Sequence, residues 1–74
     1  MSEKAQQLLS QIEEEYQNRL NEGVKKGSAI IFNNIFFVKK YHYSSNELKT
    51  LLDEIAKKGY IEKWILGAFA LIVD

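Results

Sequence analysis

Apolar residues recur at three- and four-residue steps through the first third of the chain, at Ala5, Leu8, Leu9, Ile12, Tyr16, Leu20 and Val24. No other feature restricts the fold as strongly. This spacing lines one stripe of an α-helix and predicts a helix over residues 3–26. Ser2 is placed to cap it, and Glu3 faces the positive end of its dipole. Glu15 and Arg19 form an i,i+4 pair, Lys25 and Lys26 stand at the negative end, and Gly27 suits the left-handed closing position. Gly23 lies inside the pattern, costs about 1 kcal/mol relative to alanine, and loosens the last turn.

At Ser28 the period changes. Ala29-Ile30-Ile31-Phe32 and Ile35-Phe36-Phe37-Val38 are β-branched and aromatic runs on either side of Asn33-Asn34, a dipeptide that tolerates the positive φ of a tight hairpin turn. Such a hairpin sets Phe32 against Ile35, Ile30 against Phe37 and Ser28 against Lys39. Ser44 to Glu47 then fits a capping box opening a second helix, with Leu48, Leu51, Leu52, Ile55 and Ala56 on one face and Gly59 at its end. Residues 60–65 and 68–73 read as two further strands around Leu66-Gly67, with one long bulged strand as the competing parse. The expected fold is therefore α+β, in the order α-β-β-α-β-β, with two helices packed on one face of a small antiparallel sheet. Residues 1–74 form one domain. Leu20 to Gly27 echoes Leu52 to Gly59, which raises the option of tandem helix–hairpin units over residues 1–43 and 44–74.

Composition excludes several classes of chemistry. With no cysteine and a single histidine, His42, neither a disulfide framework nor a thiolate metal site is available. The absence of cysteine and of a charged-then-apolar leader predicts a cytoplasmic protein, and no stretch approaches the length of a membrane span. The four glycines are scattered and form no phosphate loop. Ser44 and Ser45 are better used as helix caps than as nucleophiles beside His42. Glu13, Glu14 and Glu15 spread around a solvated helix. No catalytic residue, metal or cofactor is expected, and the chain is read as not an enzyme.

Ten basic and ten acidic residues cancel, so general attraction to nucleic acid is not expected. Their distribution is uneven, because residues 23–43 hold Lys25, Lys26, Lys39 and Lys40 and no acid. In the hairpin arrangement these four lysines converge with Tyr41, His42 and Tyr43 in a basic corner. That corner suits an acidic peptide, a phosphate or a single strand of nucleic acid. The second sheet face, carrying Ile31, Phe36, Val38, Trp64 and Phe69, is left uncovered by two helices and reads as an interface. A homodimer would also supplement so small a core. The expected function is a small non-enzymatic interaction or regulatory module, of adaptor or inhibitor type, that binds another macromolecule: a protein partner, a second copy of itself, or less readily nucleic acid.

The run from Glu47-Leu48-Lys49 to Lys58-Gly59-Tyr60-Ile61-Glu62 resembles the helix-into-wing passage of winged-helix DNA-binding domains. The resemblance covers about a third of the chain and implies an alternative: a winged-helix DNA-binding regulator. There Ser28–Phe32 is a short strand, Asn34–Tyr41 a helix, Ser45–Lys58 the recognition helix and Gly59–Val73 the wing. Two features favour the first fold. Ile35 to Val38 is rich in strand formers, and the recognition helix would expose Glu47, Asp53 and Glu54 among its lysines.

Overall fold

The computed structural model describes residues 1–73. Helix α1 (Glu3–Asn21) begins where expected, the Ser2 hydroxyl accepting from the Ala5 amide at 3.2 Å. It ends earlier than the apolar stripe implies. Gly23 adopts φ +92°, its amide donates to Leu20 O and the Val24 amide to Arg19 O, the two bonds of a Schellman cap. The chain turns there and forms a one-turn helix, α2 (Lys26–Ala29), so Lys25 and Lys26 do not extend α1.

Strand β1 (Ile31–Asn33) follows, and then the main departure from the expected order. Residues 34–41 are not a strand but helix α3 (Asn34–Tyr41). Asn33, at φ −116°, makes no hairpin turn; its side chain caps α3, Oδ1 accepting from the Ile35 amide at 2.9 Å. Packing explains the choice. A hairpin would leave apolar side chains on both faces, whereas a helix gathers Phe37 and Tyr41 at i,i+4 and buries Phe37 completely against Phe32 and Phe69. Lys39 and Lys40 complement the end of its dipole, and His42, at φ 61°, closes it.

Helix α4 (Ser45–Lys57) is capped by Ser44, whose hydroxyl accepts from the Glu47 amide at 3.1 Å, and ends in a second Schellman cap at Gly59 (φ 85°). Strands β2 (Ile61–Lys63) and β3 (Ala68–Leu71) form the hairpin around Leu66-Gly67. The sheet order is β1-β3-β2, antiparallel throughout, with Phe32 opposite Phe69 and Ile61 opposite Leu71. One core draws on α1, α3, α4 and the inner residues of all three strands.

The mixed α+β class and the small antiparallel sheet are as expected. The order of elements, helix, strand, helix, helix and a two-stranded wing, is that of the winged-helix alternative, with α2 as an extra turn. Residues 1–43 contain no hairpin, so the tandem helix–hairpin units do not form. The echoed segments also differ in structure, because the cap glycine matching Gly59 is Gly23, not Gly27.

Candidate nucleic-acid interface

The residues of the expected basic corner are redistributed once the hairpin between Ser28 and Lys39 is replaced by α3. Lys40 lies against α1, its ammonium 2.6 Å from a carboxylate oxygen of the buried Glu15. The Tyr41 hydroxyl donates to the same oxygen at 2.5 Å, and the Tyr43 hydroxyl donates to Gln11 at 2.7 Å. Burial alone would raise the Glu15 pKa, but the bonds from Lys40 and Tyr41 and the nearby Arg19 charge outweigh it and hold the group below its ordinary value. Burial and the bond to Glu15 push the Tyr41 hydroxyl up. Arg19 does not close an ion pair with Glu15. Its guanidinium lies 4.2 Å from the Phe32 ring centre and donates to Ile31 O at 2.6 Å, fixing β1 to α1. Lys25, Lys26, Lys39 and His42 are exposed, at the start of α2 and the end of α3.

The expected sheet-face interface is likewise divided. Phe69 is fully buried in the core, and Phe36 and Val38 are half-buried on α3. Ile31 and Trp64 keep exposed surface, at opposite edges of the sheet. The five residues do not share one face.

What the fold does assemble lies on the other side of α4. Leu48, Leu51, Leu52 and Ile55 face the core, which leaves Asn46, Lys49, Thr50, Asp53 and Lys57 along the outward stripe. The acids that argued against a groove-reading helix are each engaged. Glu47 receives the Lys4 ammonium at 3.0 Å, Asp53 pairs with Lys63 of β2, and Glu54 accepts from the Ser2 amide and hydroxyl. The bond from Lys63 holds Asp53 below the usual carboxylate range, and the Ser2 amide does the same for Glu54. Glu47 raises Lys4. Among the described residues no carboxylate forms an ion pair with Lys49 or Lys57. Ser44 caps α4 by accepting from the Glu47 amide, while the Glu47 side chain serves Lys4 instead of closing the expected box.

Between α4, the first residue of α3 and the wing runs a cleft of about 320 Å³, lined in part by Asn34, Lys49, Lys63 and Trp64. The helix stripe and the wing thus border a common depression with two lysines on its walls. No feature of sequence spacing alone selects this surface, because the partners that neutralise its acids lie as far off as Lys4 and Ser2. The stripe itself was available, as the complement of the apolar face of α4. Among the described residues, no group of three or more His, Cys, Asp or Glu side chains is placed to hold a metal ion, and no helix is long and apolar enough to cross a membrane.

Compared with family models, curated proteins and solved structures, the chain matches none.

Proposed function

We propose that the chain is a duplex-DNA-binding regulator that lays α4 in the major groove. It is thus a non-enzymatic module acting on another macromolecule, with nucleic acid as that macromolecule. The observation that carries this reading is the outward stripe of α4, where the Asn46, Lys49 and Lys57 side chains stand clear while every acid of the helix has a partner. An α-helix fits the width of the major groove, and asparagine and lysine suit the edges of adenine and guanine. A formal charge of zero makes the phosphate contribution small, so recognition leans on base contacts and shape more than on counterion release.

A homodimer belongs to the same proposal. One neutral chain offers one reading helix, and two copies reading half-sites about 34 Å apart would double the contacts. A cytoplasmic location belongs to the proposal, and the cysteine-free composition supports it. A random-sequence duplex pool passed over the protein should yield an enriched site. Lys49→Ala should then weaken binding to that site by about 1–3 kcal/mol in a fluorescence-anisotropy titration. A pool that shows no enrichment at about 10 μM protein, inside the range of ordinary non-specific affinity, overturns the proposal. That result would return the adaptor or inhibitor reading to first place.

A further inference from the structure

The cleft between α4, the start of α3 and the wing gathers three chemically distinct side chains that the fold does not use. Trp64, the sole tryptophan, stands in its wall with 43% of its surface exposed. Asn34 lines it beside Gly67. The backbone amide of Asn34 donates to Gly67 O, but among the described residues its side-chain amide makes no hydrogen bond. The Lys49 ammonium is likewise without a carboxylate. Lys63 also lines the cleft, but its ammonium is held by Asp53 and the two charges cancel. Glu62, the acid of the same strand, is not among the walls; it stands opposite Ala70, one step from Lys63 and so on the other face of β2. Lys49 therefore leaves the cleft net positive. Leu52 and Phe69, almost wholly buried, close the floor. An exposed lysine, asparagine or tryptophan is ordinary on any surface. Their convergence on one concavity of about 320 Å³, within the size range of small-molecule sites, is not.

We infer that this cleft binds an adenine mononucleotide. The indole of Trp64 offers a flat surface on which a base stacks. The Asn34 carboxamide carries a donor and an acceptor side by side, which matches the amino group and ring nitrogen of adenine; guanine presents two acceptors at that edge and leaves the asparagine oxygen opposed. The Lys49 ammonium meets the phosphate. Simpler anions use less of the site. An aromatic carboxylate would meet the cation and the indole but leave the carboxamide without a complementary edge, and an acidic side chain would meet Lys49 alone. Lys49 belongs both to the cleft and to the outward stripe of α4. A bound nucleotide thus withdraws that lysine from a DNA groove, and the site becomes a switch on duplex binding. This consequence, unlike the binding itself, rests on the duplex-binding reading.

The test titrates adenosine monophosphate (AMP) into the DNA-free protein, read by Trp64 fluorescence and, independently of the indole, by equilibrium dialysis. AMP should quench Trp64 saturably, with a dissociation constant below about 1 mM. Adenosine, which lacks the phosphate, and guanosine monophosphate (GMP), which lacks the matching edge, should each bind about tenfold more weakly. Lys49→Met keeps the side-chain stem and loses the charge; it should weaken AMP about tenfold and adenosine far less. Asn34→Ala leaves the backbone bond to Gly67 intact and should erase the preference for AMP over GMP. No saturation with AMP by about 1 mM overturns the site. So does AMP binding that Lys49→Met leaves unchanged, or equal affinity for AMP and GMP in the wild type. On the duplex enriched by the wild-type protein, saturating AMP should weaken binding as Lys49→Ala does. A duplex affinity indifferent to AMP overturns the switch and leaves the nucleotide site standing. A protein that binds AMP but enriches no duplex overturns the duplex-binding reading alone.

Discussion

Two junctions between apolar runs meet in the fold and behave in opposite ways. Asn33-Asn34 separates β1 from a helix, while Leu66-Gly67 separates β2 from β3. They touch: the Asn34 amide donates to Gly67 O, and the Asn34 side chain lies 3.9 Å from where a Gly67 Cβ would stand. By turn chemistry Asn-Asn is the better hairpin dipeptide, yet Leu-Gly makes the hairpin. The difference teaches that asparagine has two local uses. It can take positive φ in a turn, or its side chain can cap a helix while its own φ stays extended. Asn33 does the second. What selects between them is the burial of the residues that follow.

The largest test of that account is Phe37→Ala. Phe37 has no exposed surface and contacts Phe32, Phe36, Tyr41 and Phe69, with ring centres 5.2–5.8 Å away. Its truncation should cost about 3–5 kcal/mol in urea denaturation. A domain this small holds only about 4–11 kcal/mol, so the variant should sit near the edge of folding. Ile35, 58% exposed two residues earlier, should change stability by no more than about 0.5 kcal/mol when made alanine. A strand would place Ile35 and Phe37 on one face and give them comparable costs. Similar losses for the two variants would therefore break the helical account of this segment.

The second test falls on the other junction. Gly67→Ala meets no closer neighbour than an ordinary contact with Asn34, so any loss comes from forcing an L side chain to φ +73°. The expected cost is about 1–2 kcal/mol, read as a shift in the urea midpoint with unchanged slope. A cost near zero would mean that the turn relaxes away from positive φ.

These contrasts explain how much of the molecule was legible. The stripes of α1 and α4 follow from apolar spacing, their starts from Ser2 and Ser44, and the wing from two short runs around Leu66-Gly67. The end of α1 was not legible, because Gly23 and Gly27 both follow helical pattern and only the Schellman bonds distinguish them. Helix α3 was hidden because Ile35 to Val38 has strand propensity, and tertiary burial of Phe37 outweighs it. The candidate interface was obscured for a different reason. A local count sets Glu47, Asp53 and Glu54 against the lysines of α4, but their partners Lys4, Lys63 and Ser2 come from α1, its cap and the wing. Charge pairing over such separations is a property of the folded chain.

The smallest effect isolates the cap itself. Asn33→Ala removes the oxygen that accepts from the Ile35 amide and should cost about 1 kcal/mol, whereas Asn33→Gly, better tolerated at a cap, should cost only a few tenths. Because Asn33 pairs with Ala68 through the backbone, neither variant deletes its side chain from the core or a strand hydrogen bond. If Asn33 instead served a hairpin turn at positive φ, glycine would be neutral or stabilising and alanine would be strained by its Cβ, not by a lost acceptor. Asn33→Asp separates the two. As a cap it retains the acceptor and adds a charge favourable to the helix dipole, so stability should hold at neutral pH and decline as the new carboxylate is protonated in acid. A midpoint for Asn33→Asp that falls with acid no more steeply than that of the wild type, whose Glu15, Asp53 and Glu54 already lose stability there, would show that the side chain does not face the start of α3. The contrast between the two junctions would then need another cause.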